Sequence, residues 1–145
     1  MSGLRRWMRI VGGVNVLLGL GFIPVVNQAR LGIMFPALEA GPDTIVYRAL
    51  IDWMFLFGLD LAVVGAALLY WSRDPERARP LVWLAIALEL VHGTGFDLYY
   101  TTRGYVSVPF YIAFAALHLT AVVIGVVLLR RGREASVVRA AAEAR

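Results

Sequence analysis

Apolar residues gather into four runs, roughly 7–26, 50–72, 81–103 and 109–130, with polar stretches between them. Each run reaches the ~20 residues that cross a ~30 Å hydrocarbon layer at a rise of 1.5 Å per residue. The pattern predicts an all-α chain, an integral membrane antiparallel four-helix transmembrane bundle. The turn near 73–75 and the loop 104–108 are short, so the helices they join must pack as antiparallel neighbours. Residues 1–131 form the four-span domain, with an outer loop at 27–49, and 132–145 form a cytoplasmic tail rich in Ala and Arg.

Local signals mark the boundaries. Asp43 after Pro42 reads as the N-cap of the second helix. Asp74-Pro75-Glu76 supplies a cap, a first-turn proline and a first-turn acid for the third. Ser107 and Pro109 do the same for the fourth. The segment 27–42 is long for a helix connection and carries Leu31, Ile33, Met34, Phe35 and Leu38. It is expected as a short amphipathic helix on the outer surface; as a functional element it would be a lid over the bundle mouth. Gly58, Ala62 and Ala66, Ala121 and Gly125, and Gly12 and Gly19 make small-residue faces that let helix backbones approach.

Charge orients the bundle. Arg5, Arg6, Arg9, Arg73, Arg77, Arg79, Arg130, Arg131, Arg133, Arg139 and Arg145 fall on one side. Only Arg30, Arg48 and Arg103 fall on the other. Positive residues mark the cytoplasmic face, so both termini are expected inside, in the cell (inner) membrane. Trp7, Tyr70, Trp71 and Trp83 lie at that edge, and Tyr47, Tyr99, Tyr100, Tyr105, Phe110 and Tyr111 at the opposite one, as two interfacial aromatic belts do. The basic start followed by an apolar run resembles a signal peptide, but no clear cleavage site follows, so a retained first span is expected.

Composition narrows the chemistry. The chain is 60% hydrophobic and 17% charged, against the ~45–50% and ~25% of soluble domains. There is no cysteine, which excludes disulfide scaffolding, thiolate metal sites and Cys-based redox chemistry. The net charge of +4 is accounted for by arginines flanking the spans, and no nucleic-acid partner is expected. The expected surroundings are the lipid bilayer, with a membrane-protein partner or a second copy of the chain as further candidates.

The informative residues interrupt the apolar runs: Asn15, Asp52, Asp60, Glu89, His92, Asp97 and His118. A charge facing lipid costs ~2.5–3.5 kcal/mol or more, so these groups are expected to face one another. Asn15, Asp60, Glu89, His92 and His118 fall near the midplane, and Asp97 in the outer third. Glu89 and His92 are three apart and share a helix face. Glu89 and Asp97, eight apart, lie about 80° from each other around an α-helix, with Gly93 and Gly95 thinning the helix between them.

Three arrangements could use them. One is an interhelical hydrogen-bond network, Asp60 to His118 and Glu89 to Asn15 for example, though such contacts average only ~0.6 kcal/mol. Another is a site in which a carboxylate–histidine pair moves protons on a lipophilic molecule. The third is a metal site: Glu-x-x-His is half of a di-iron pattern, but the second half is missing; a mononuclear site from Asp60, Glu89, His92 and His118 is chemically possible, though no metal and no cofactor are expected.

Arg6-Trp7-Met8-Arg9-Ile10-Val11-Gly12, Asp97-Leu98-Tyr99-Tyr100, Arg103-Gly104-Tyr105, and His118 with Leu128-Leu129-Arg130-Arg131 resemble the BphX-like family. These are small four-span bacterial membrane proteins, and the resemblance covers roughly 4–131. It implies the fold but little about function. More distantly, the architecture is similar to DoxX-like and sterol-isomerase-like helical proteins. The expected site has Glu89 and His92 as the proton-handling pair, with Asp60, Asp97, His118 and Asn15 as its ligand-binding wall. The alternative is a non-enzymatic accessory subunit of a transporter or enzyme, docking through its Gly/Ala faces.

Overall fold

The computed structural model describes residues 3–35 and 38–143. Among them there is no strand. Five helices follow in order: α1 Gly3–Gly21, α2 Pro24–Met34, α3 Ile45–Trp71, α4 Arg79–Thr102 and α5 Val108–Glu143. By length and composition α3, α4 and the Tyr111–Arg133 part of α5 can each cross a membrane. α1 and α2 reach that threshold only together, and the axis bends by 92° between them.

That bend replaces the continuous first run of 7–26. Pro24 has no N–H to donate and its ring blocks helix continuation, so it starts a new helix instead. Asn27, fully buried, donates Nδ2 to the Phe22 carbonyl at 2.6 Å and satisfies one of the acceptors the break exposes. α2 then lies on α3, its Leu31 packed with Ile51 and Met54. Two other boundaries differ from the sequence reading. Thr44, not Asp43, caps α3: its Oγ1 accepts from Tyr47 N at 3.2 Å while donating to the Gly41 carbonyl at 2.7 Å. Asp74-Pro75 opens a turn, with Asp74 Oδ1 accepting from Arg77 N, and α4 starts only at Arg79 ahead of Pro80. At the other end α5 continues through the tail to Glu143.

Neighbours run antiparallel, as the contact register shows. Gly12 faces Gly65 and Gly19 faces Gly58, so α1 and α3 descend against each other. Gly93 meets His118, Ile86 meets Gly125 and Arg79 meets Gly132, which sets α4 against α5 in the same way. α1 and α3 approach so closely that a Cβ on Gly12 would stand 2.8 Å from the Gly65 carbonyl oxygen. The small-residue faces are therefore spent inside the chain: Gly58 and Ala62 press on α1, and Gly125 on Trp7 and Ile86. Ala66, expected on the same face, is exposed, and Gly65 takes its place in the contact.

The distribution of polarity is inside-out. Ile10, Leu17, Leu56, Val63, Leu98 and Leu117 are exposed, whereas Asn15, Glu89 and Asp97 are buried. The main apolar cluster, around Met8, Leu68, Val82 and Leu129, fills one end of the bundle. Trp7 closes it by donating Nε1 to the Ala121 carbonyl at 2.9 Å. At the same end Arg9 Nε meets Ser72 Oγ at 3.3 Å. The other end is less filled, and the polar residues border that space.

A cavity built on a π-helical turn

Halfway along α4 the backbone leaves α geometry. Residues Glu89–Gly95 form a π-helical stretch with i→i+5 bonding. Such a turn absorbs about one residue. Eight residues of α-helix put two side chains about 80° apart, whereas the equivalent of seven leaves them about 20° apart. Glu89 and Asp97, split between faces in a regular helix, thereby address the same neighbour.

That neighbour is His118 on α5. Its Nδ1 lies 2.5 Å from Glu89 Oε2, and its Nε2 lies 4.0 Å from Asp97 Oδ2. The second Glu89 oxygen, Oε1, accepts from Asn15 Nδ2 at 3.2 Å. Three helices thus meet at one carboxylate. Gly93 is what admits the imidazole: a Cβ there would collide with the His118 ring. Glycine here serves contact between α4 and α5. Asp97 Oδ2 has no hydrogen-bond partner among the described residues.

A cavity of about 370 Å³ lies beside this cluster, within the ~300–1,000 Å³ range of small-molecule sites. Its walls are largely apolar and aromatic, with Trp53, Phe57, Phe96 and Phe114 among them. Asn15, Asp60, Glu89, His92, Asp97 and His118 all border it. A second, almost wholly apolar cavity of about 380 Å³ runs between α1 and α5 towards Arg6. It shares Asn15, Leu18, Glu89 and His118 with the first, so the Glu89–His118 pair is a partition between two cavities.

The residues singled out from sequence are not all joined. Glu89 bonds to Asn15 and His118, but His92 is not its partner. The His92 ring stacks on Phe96 (centroids 5.2 Å apart, planes at 20°) and lies 6.2 Å from Phe57. It forms part of an aromatic wall. Asp60 borders the cavity but is exposed, and makes no hydrogen bond or ion pair with His118. Asp52, expected among the inward-facing acids, is exposed and does not border the cavity. Among the described residues no three His, Cys, Asp or Glu side chains form a group that could hold a metal ion. One cavity residue escaped the sequence reading: Arg30, counted there only as an outer-side arginine. Its guanidinium lies over the Phe22 ring, 4.2 Å from the centroid, and borders the cavity from α2. The signal that pointed to it was the apolar company it keeps in 27–42.

The chain belongs to the BphX-like family, whose sequence profile matches residues 1–134. An uncharacterised BphX-like protein of Burkholderia cepacia is 29% identical to it over 93 residues, covering 64% of this chain and 67% of the relative. A BphX-like protein of Paraburkholderia xenovorans (strain LB400), also described as uncharacterised, is similar to the same extent. No solved structure matches the chain.

Proposed function

We propose that this BphX-like protein is a multi-pass protein of the inner membrane, with both termini cytoplasmic, that binds a small lipophilic molecule in its bundle cavity and exchanges a proton with it. The membrane placement rests on the apolar outer surface and on the arginines clustered at one end. Helix α1 spans as far as the bend at Pro24, and α2 returns along the outer end.

One observation carries the site reading: a carboxylate–imidazole pair at 2.5 Å on the wall of a largely apolar and aromatic cavity. A network meant only to hold helices together can be built from neutral hydroxyls and amides, whose interhelical bonds average ~0.6 kcal/mol. A Glu–His pair adds something those lack, a proton that can sit on oxygen or nitrogen. A ligand group entering the cavity meets that proton without leaving the low-dielectric interior. The roles follow from position. Glu89 and His118 handle the proton, Asn15 holds the Glu89 oxygen that His118 leaves free, and Asp97 faces the far imidazole nitrogen. His92, with Phe57 and Phe96, lines the ligand's apolar body.

The small-residue faces offer little to an accessory-subunit reading, since α1, α3, α4 and α5 already use them on one another. The test is extraction of small molecules from protein purified in native-lipid nanodiscs, followed by mass spectrometry. Wild type should carry a compound that Glu89→Gln and His118→Ala lose, while circular dichroism and elution volume stay unchanged. Equal content in all three proteins, or variants that no longer fold, would favour a purely structural network.

A further inference from the structure

Arg30 is the cationic group on the cavity wall, and its environment is unusual for a charge. Its Nε and Nη2 atoms are buried and have no hydrogen-bond partner among the described residues. Among the described residues no carboxylate comes within ion-pair distance of it. Phe22 covers one face of the guanidinium at 4.2 Å, and Met34 and Phe35 of the same end border the cavity beside it. Nε and Nη2 form one edge of the guanidinium plane, with their two N–H bonds parallel. That edge matches the two oxygens of a carboxylate and binds them side by side. A buried donor left unmatched is costly, and two on one edge define the acceptor they lack.

The three cavity carboxylates do not supply it. Glu89 is committed to His118 and Asn15, Asp97 faces the imidazole, and Asp60 is exposed on α3. Tyr111, buried, also borders the cavity. The cavity is thus polar at two places, the guanidinium edge near α2 and the Glu89–His118 pair deeper in the bundle. The aromatic side chains Phe57, Phe96 and Phe114 line the same cavity.

We propose that the cavity takes a small lipophilic acid, its carboxylate held by the Nε–Nη2 edge of Arg30 and its apolar body lying along the aromatic wall. This rests on the cavity being a ligand site, and it narrows the ligand from any lipophilic molecule to a monoanion with a compact apolar body. A cavity of about 370 Å³ suits a single chain or ring rather than a diacyl lipid. Anchoring the acid at one end would present the other end to Glu89 and His118.

The experiment is equilibrium dialysis of radiolabelled decanoate, decanol and decylamine against the full chain in phosphatidylcholine nanodiscs, with empty discs subtracted. Wild type should bind decanoate at least about tenfold more tightly than decanol, as a charge-assisted bidentate contact is worth that much, and decylamine more weakly still. Arg30→Gln should lower decanoate affinity about tenfold and bring the decanoate-to-decanol ratio near one. Arg30→Lys, keeping the charge without the fork, should fall between. Wild type binding decanol or decylamine as tightly as decanoate overturns the proposal while leaving the cavity a ligand site, and this comparison stands even if Arg30→Gln fails to fold. A folded Arg30→Gln that keeps wild-type decanoate affinity also overturns it. Competition by added phosphatidylglycerol would move the anion to a membrane lipid and overturn the small-acid assignment. If none of the three probes binds, the ligand-site reading itself fails.

Discussion

Glu89→Ala is expected to destabilise the folded protein by about 3 kcal/mol, since it leaves Asn15 Nδ2 and the His118 ring without their partner and each such loss costs ~1–3 kcal/mol. Asn15 loses its acceptor and His118 loses the group 2.5 Å from Nδ1. Glu89→Gln should cost about 1 kcal/mol or less, because an amide keeps the side-chain shape, can still accept from Asn15 and can donate to a neutral imidazole. The two variants together separate the carboxylate's structural part from its proton. Reversible unfolding in mixed micelles, read by circular dichroism, measures both. Equal stabilities would mean that Glu89 does not knit α1, α4 and α5 together.

Gly65→Leu should be at least as damaging, about 3 kcal/mol or more, at the upper end of overpacking costs. A Cβ on Gly65 would stand 2.6 Å from the Gly12 carbonyl oxygen and 2.8 Å from Val16 N. Those are backbone atoms of α1, which cannot step aside as a flexible side chain does. The helices would have to separate, and the cavity wall at Asn15 would move with α1. Gly13→Leu is the matched control, because nothing lies within 4 Å of a Cβ there. Size-exclusion profiles and melting curves should show Gly13→Leu close to wild type and Gly65→Leu aggregated or strongly destabilised. Similar behaviour of the two would remove the close α1–α3 contact from the account.

Hydropathy made the four helical runs legible, and the cost of burying charge in an apolar setting pointed to Asn15, Glu89, Asp97 and His118 as inward-facing. What stayed hidden has identifiable physical causes. Periodicity assumes 3.6 residues per turn, so Glu89 pointed to His92 and away from Asp97; the π-helical turn at Glu89–Gly95 alters that phase and gives Glu89 to His118. Gly93 and Gly95 marked a thinned stretch of the helix, but no rule of spacing says which helix will use the gap. A hydropathy window runs through Pro24 because Val25 and Val26 are apolar, although the missing N–H ends α1 there. Asp60 shares the depth of Glu89 but not its direction, and hydropathy along a helix does not resolve rotation about the axis when almost every face is apolar. Arg30 looked like a topology marker because charge counting treats all loop arginines alike. Only the fold of α2 back over α3 brings it to the cavity.

Central to everything above is a single contact across α4 and α5. Solid-state NMR of the protein in lipid bilayers, with ¹⁵N-histidine and ¹³C-glutamate labelling, reads it directly. A dipolar cross-peak between His118 Nδ1 and the Glu89 carboxyl carbon, lost in Glu89→Gln and absent for His92, is the predicted result. A Glu89 carboxyl coupled to His92, or to neither imidazole, would contradict it.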